Sequence, residues 1–468
     1  MRIILAGYNV DAEVLEDLKK TSRPREDATP ETLSASYARI SRDPRPIDEL
    51  RRAAREEVEK ARKSNSSIIF KMGHHSIAEH AVFNFDILGV SRLALEEIEK
   101  FRLCAYTEKS QRYQKLEDEF VVPDELKGSE LEEDFLKAVR EQNQFYQKLV
   151  DKGVEPEDAR YATPLATQGQ VGLTINARNL EFLFRRFASH PLSEVQKIGR
   201  EMYQLVEKIA PSIILFTEAN DFDQKTYPEL RALSTEFRTR GKKVISEVEL
   251  VDYTRDADNK VVAALLHSST NLPYKKCLKQ AKAMADEKKK EFIKTCFKYA
   301  EFYDRPLREF EFVDLTYDLI VSAACFGQLK RHRMASITCQ NYDPALGVTI
   351  PETIHKAGMG KEFNRLINVT SKSYDRIAAK DPLAARYVLS NAHRKRVLIK
   401  VNARELYHMS RLREDKHAQW DIRNITAAMT AAAKKVMPLI MLFVGGKDAY
   451  PDIYESHFAK RPRILPEY

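Results

Sequence analysis

The chain lacks the marks of several large protein classes. Its five cysteines, Cys104, Cys277, Cys296, Cys325 and Cys339, form no CxxC pair and are odd in number. That pattern points to reduced thiols and argues against a disulfide frame or a cysteine zinc site. No apolar run approaches the ~20 residues needed to cross a bilayer. The opening MRIILAG is too short for the core of a signal peptide, so a cytoplasmic protein with no membrane partner is expected. Charge of one sign is scarce as well: 77 basic against 69 acidic residues leave +8. This suits small anionic ligands without demanding nucleic acid, which is not expected as a partner. What remains is a chain of 468 residues, 43% of them hydrophobic, long enough for two cores.

Read in order, Met1–Gly7 predicts a short buried strand, and Asp11–Lys20 a helix. Pro46–Lys63 predicts one charged amphipathic helix. Phe83, Phe85 and Ile87 alternate with Asn84 and Asp86 in a half-buried strand. Ser91–Arg102 returns to helical spacing, and helices are expected through Ala159-Arg160-Tyr161 and Asn176-Ala177-Arg178 to Pro211. Val313, Leu315, Tyr317 and Leu319 then alternate with polar residues in a second half-buried strand. If Asp318–Ser336 is mostly helical, Gln328, Arg331 and His332 share a face with Ser336 one turn on. By itself Arg331-His332-Arg333 fits either a solvated basic helix end or a cluster of donors for phosphate and a flat heterocycle.

An altered second copy decides between them. Ala385-Arg386-Tyr387 follows Ala159-Arg160-Tyr161 by 226 positions (386 − 160), and Asn402-Ala403-Arg404 follows Asn176-Ala177-Arg178 by the same 226 (404 − 178). The strand–helix unit repeats at 231 (333 − 102). These offsets indicate an internal duplication with its joint near residues 222–232, giving domains 1–225 and 226–468. The copies have diverged in complementary ways. Lys100-Phe101-Arg102 stands opposite Arg331-His332-Arg333, Phe187 opposite Arg413, Glu97 opposite Gln328, and Arg112 opposite Asp343. Each half keeps what the other lost, which implies a composite site using both halves across a pseudo-twofold interface.

The combined pattern resembles the flavin-dependent thymidylate synthases. Their signature is Arg-His-Arg, two residues, Ser, four residues, Ser, one residue, Arg-Tyr. Its first part stands here as Arg331-His332-Arg333…Ser336 and its last as Ser110-Gln111-Arg112-Tyr113. Ala38–Ser41, the run His74, Ser76, Glu79, His80, the two Asn-Ala-Arg tripeptides, and Arg413 followed by Ala418–Ile422 also match. The departure is that typical members are single-copy chains forming homotetramers. The resemblance implies an α+β fold in two tandem copies, with helices packed around a mixed β-sheet. It implies a homodimer resembling a pseudo-tetramer.

It also implies a reaction: reductive methylation of dUMP to dTMP, using FAD, methylenetetrahydrofolate and NADPH. The resemblance assigns dUMP to Glu108, Lys109, Ser110, Gln111, Arg112 and Arg160 of the first half and to Gln328, Arg331 and Arg413 of the second. It assigns FAD to Ser41, Ser76, Glu79, Glu108, Arg331, His332, Arg333, Asn402, Arg404 and His408. Arg413, His74 and Ser110 are its catalytic residues, with Arg413 polarising the uracil. His74, His75, Glu79 and His80 could alternatively ligate a metal. No carboxylate cluster elsewhere in the sequence matches them, so no metal is expected. Two other readings compete: a methylase of another pyrimidine nucleotide, and a decayed relative that binds nucleotide or RNA.

Overall fold

The computed structural model describes residues 1–20, 25–112, 119–237 and 246–463; Tyr113 of the motif above lies outside them. The chain divides into two compact units. One comprises Met1–Arg240 with Thr353–Ser390, the other Gly241–Glu352 with Asn391–Tyr468. Each unit is built on a four-stranded sheet. In the first, β1 (Arg2–Tyr8), β2 (Val82–Ser91), β3 (Cys104–Glu108) and β4 (Gln168–Asn176) lie in the order β1-β2-β4-β3. In the second, β5 (Val248–Tyr253), β6 (Asp314–Ser322), β7 (Ser336–Cys339) and β8 (Arg394–Asn402) lie in the order β5-β6-β8-β7. The topologies are the same, so the duplication inferred from tripeptides is a duplication of architecture. The fold is α+β, but among the described residues every strand pairing is antiparallel, which corrects the mixed sheet.

Alternation produces the central strands. Phe83, Phe85 and Ile87 on β2 and Leu315, Tyr317 and Leu319 on β6 are buried, each worth about 1.5–3 kcal/mol of apolar transfer. Each central strand then turns into a helix at a serine cap. Ser91 Oγ accepts from Ala94 N at 2.9 Å and Ser322 Oγ from Cys325 N at 3.0 Å. Both hydroxyls also donate to a buried carboxylate at 2.6 Å, Glu194 in the first unit and Asp421 in the second. Asn176 and Asn402, the first residues of the repeated tripeptide, cap the helices Ala177–Ala188 and Ala403–Arg413 in the same way.

Several local expectations need correction. β1 is an edge strand with no fully buried residue, because only β2 pairs with it. Pro46–Lys63 is two helices, Ile47–Glu56 and Val58–Ser66, broken at Glu57 (φ −126°, ψ 62°). The helix after β2 is only Arg92–Ile98. The stretch expected to be helical up to Asn176 contains β4, whose Val171, Leu173 and Ile175 are buried. Gly169 and Gly172 interrupt its apolar pattern. At Gly169 a Cβ would come within 2.6 Å of Leu95 Cδ1, so a side chain there would displace the leucine tip.

Helix Gly360–Ala378 comes from the second copy but belongs to the first unit, packed on its counterpart Glu132–Asp151. Phe145 and Phe363 have ring centroids 6.0 Å apart. Gln142 Nε2 donates to Thr370 Oγ1 at 3.1 Å and to Val388 O at 2.9 Å. Pro164 bridges Ser390, 226 positions on (390 − 164), in antiparallel sense. Like residues meeting like is the local signature of a twofold relation between these segments.

Candidate functional site

The Arg331–Ser336 stretch is not helical. β6 continues through Ile320 and Val321, paired to β8, and only Ala323–Leu329 is helix. His332 and its flanking arginines lie in the turn that leads into β7. The single shared face expected for Gln328, Arg331, His332 and Ser336 is therefore absent. Arg331 and Arg333 are exposed, while His332 is buried at 3%. What gathers around His332 comes instead from the helix Ala403–Arg413. Arg413 Nε donates to His332 Nε2 at 3.0 Å, and His332 Nδ1 lies 3.5 Å from Glu405 Oε1. The His408 ring stands 6.0 Å from that of His332, centroid to centroid. Burial holds the His332 imidazole below the usual histidine range; Glu405 opposes that shift and Arg413 and His408 add to it. Nearby, the buried Gln328 Nε2 has no hydrogen-bond partner among the described residues. A buried donor left in that state is fit for a polar ligand.

In the first unit three of the four corresponding positions are apolar. Phe101, Phe182 and Phe187 replace His332, His408 and Arg413, and Asn179 replaces Glu405. Phe101 packs edge-on against Phe182 at 5.6 Å and against Phe187 at 5.9 Å. Glu97, opposite Gln328, is claimed by its neighbours: Lys100 and His190 hold its carboxyl well below the usual range against a burial effect that would raise it. The first unit keeps a different centre. Arg112 forms a bidentate pair with Glu157, at 3.1 and 3.2 Å, and Ser110 Oγ accepts from the Arg112 backbone N at 3.1 Å. Arg160 Nε donates to Glu157 O at 3.1 Å. Burial, above all, lowers the Arg160 pKa; the charges of Arg92 and Arg112 add to this, while Tyr161 and Glu157 oppose it. Three guanidiniums near enough to act on one another, with the Glu157 carboxylate on Arg112, form a natural anion site.

Comparison with known proteins places the chain in a family. A family model described as thymidylate synthase complementing protein matches residues 25–212 and again residues 249–439. The chain belongs to that family. Its two matched segments start 224 positions apart (249 − 25) and end 227 apart (439 − 212), in step with the repeated tripeptides. A flavin-dependent thymidylate synthase of Pyrococcus horikoshii is 39% identical over 147 residues, 30% of this chain and 60% of the relative. One of Geobacter sulfurreducens is 35% identical over 193 residues, 39% of this chain and 80% of the relative. The chain spans 60% and 63% of the length of two such relatives from Pyrococcus, and 56% of a UPF0159 protein of Chlamydia pneumoniae. The crystal structure of the flavin-dependent thymidylate synthase of Helicobacter pylori complexed with FAD and dUMP is 19% identical. That match covers 47% of this chain and 100% of the other at a TM-score of 0.34.

In this chain the expected residues fall into two sets. The first unit holds Ser41, His74 and Ser76, all exposed, and Glu79, paired with Arg178 at 2.6 Å. It also holds Glu108 at the end of β3, then Lys109, Ser110, the buried Gln111, Arg112 and Arg160. The second unit holds Gln328, Arg331, His332, Arg333, Asn402, Arg404, His408 and Arg413. Among these, Asn402 Oδ1 is engaged as a helix cap, and Arg404 reaches Glu311 at 2.7 Å and Pro306 O at 2.7 Å. Arg404–Glu311 repeats Arg178–Glu79. Sequence reasoning missed Glu311, Arg92, Glu157 and Glu405. Glu311 was within reach, since it follows Glu79 by 232 positions (311 − 79), close to the strand–helix offset. Among the described residues no three His, Cys, Asp or Glu side chains gather as metal ligands, and no helix is long and apolar enough to cross a membrane.

Proposed function

We propose that the chain is a flavin-dependent thymidylate synthase that methylates carbon 5 of dUMP. In this reading methylenetetrahydrofolate is the one-carbon donor, NADPH the reductant and FAD the resident cofactor. The observation that carries it is complementary retention: the second copy alone keeps the linked His332–Arg413 pair, and the first alone keeps the Ser110–Arg112 loop beside Arg160. The residues fit FAD in the second copy, where His332 and His408 offer polar groups to a heterocycle edge. The three phenylalanines of the first copy offer such an edge nothing. Arg331, His332, Arg333, Asn402, Arg404 and His408 would hold it, with Ser41, Ser76, Glu79 and Glu108 of the first copy. Reduced FAD supplies the hydride of the reaction.

The chain's own groups do the rest. Ser110, Arg112 and Arg160, with the backbone of Lys109 and Gln111, take the nucleotide phosphate, whose oxygens compete with Glu157 for Arg112. Gln328 and Arg331 hold the base and sugar. The Arg413 guanidinium stabilises negative charge on the uracil imide, which makes carbon 5 more nucleophilic. His74 and Glu108 border the reacting groups. The active form is a homodimer of duplicated chains, with one flavin site per chain.

Purified protein, reconstituted with FAD and read by its visible spectrum, tests this. One FAD per chain is expected, lost in His332→Ala and kept in Phe101→Ala, with tritium released from 5-tritiated dUMP. A protein that stays colourless after reconstitution overturns the reading in favour of a nucleotide- or RNA-binding relative, whose binding weakens steeply with salt. Two flavins per chain would overturn the specialised halves.

A further inference from the structure

A neutral imidazole has one nitrogen that donates and one that accepts. Arg413 Nε can only donate, and it points at His332 Nε2 from 3.0 Å. The His332 proton is therefore on Nδ1, the side that faces Glu405 Oε1 at 3.5 Å. A carboxylate only accepts, so Glu405 rewards that tautomer and no other. Were the proton to move to Nε2, two N–H groups would confront each other in a place with almost no water: His332 is 3% and Glu405 8% exposed. We propose that Glu405 is a positioning residue: by holding the His332 proton on Nδ1, it keeps Nε2 as the acceptor that fixes the Arg413 guanidinium. This rests on the reading in which Arg413 acts on the uracil.

The chain contains its own control. In the first copy the position of Glu405 is Asn179, whose amide turns back to Asn176 Oδ1 at 2.8 Å, and no histidine or arginine stands opposite. The carboxylate occurs in the copy that has the His–Arg pair. Backbone demands do not explain it, because both residues donate the same N–H to the capping asparagine, at 3.0 and 2.8 Å. Among the described residues, Glu405, Arg413 and His408 are the charged or titratable groups that act on the His332 ring, and of these Glu405 is the one whose oxygen lies within 3.5 Å of Nδ1.

The test uses the full chain with nitrogen-15-labelled histidine, His332 being assigned by its loss in His332→Phe. Wild type should show a neutral His332 protonated on Nδ1. Glu405→Met, which fills the volume without an acceptor, should lose that single tautomer. Its kcat for dUMP should fall on the order of ten- to a hundred-fold, with FAD content and KM little changed. Glu405→Gln, which keeps an acceptor oxygen, should recover the tautomer and most of the rate. Should Glu405→Met not fold, Glu405→Ala removes the acceptor without the bulk. Retention of the Nδ1 proton in the acceptor-less variants overturns the proposal whatever the activity. Equal losses of rate and melting temperature in the Gln and Met variants overturn it in favour of a packing role. The tautomer readout needs no substrate, so an inactive wild type with the expected tautomers would sink the thymidylate synthase reading and leave the Glu405 relay standing.

Discussion

Three positions separate the copies most sharply at the site: Phe101, Phe182 and Phe187 in one, His332, His408 and Arg413 in the other. An aromatic trio needs no protons or partners, whereas a buried imidazole brings a pH dependence with it. His332 and His408 both lie below the ordinary histidine value of 6.5, chiefly through burial. Below pH 6.5 the unfolded chain takes up protons that the folded chain refuses. Their contribution to stability is therefore present above that pH and is lost as pH falls through the folded values. The melting temperature of wild type should fall between pH 7 and pH 5 more steeply than that of His332→Phe, a slope difference of up to about 1.4 kcal/mol per pH unit. Parallel curves in thermal scans would refute the burial of His332 as the cause. The Phe variant should be less stable at every pH, because Glu405 and Arg413 lose their common partner.

At the scale of elements, the repeat is held by junctions where strand becomes helix. Ser322 serves its helix and Asp421 at once, as Ser91 serves its helix and Glu194. Ser322→Ala removes a cap and one donor to a buried carboxylate, and should cost about 2 kcal/mol or more by urea unfolding. Ser322→Thr should retain part of that. These junctions are also why the duplication is legible at all. Asn176 and Asn402 persist because each caps a helix, so the tripeptides that betray the repeat are structural punctuation. Strand β4 was not legible for a related reason: Gly169 sits against Leu95, and the absent side chains of Gly169 and Gly172 erase the alternation that marks β2 and β6. The arginine–histidine turn was misjudged because an apolar run read from Asp318 onward hides the point where Ser322 ends a strand and starts a helix.

On the scale of the whole molecule, sequence copies and compact units are different partitions. The second copy lends Thr353–Ser390 to the first unit, where Gln142 holds Thr370 and Val388. Gln142→Ala strips two hydrogen bonds from a site without water access and should destabilise the first unit by about 1–3 kcal/mol. Calorimetry that shows no loss would mean that these helices pack without it. By itself the sequence determined the duplication and the division of the family's residues between the copies, because alternation and motif spacing are local properties; the α+β class came with the family resemblance. The tertiary structure decided which carboxylates answer which donors: Glu157 for Arg112, Glu311 for Arg404, Glu405 for His332. Those pairings join residues distant in sequence or brought round by a turn, and no periodicity records them.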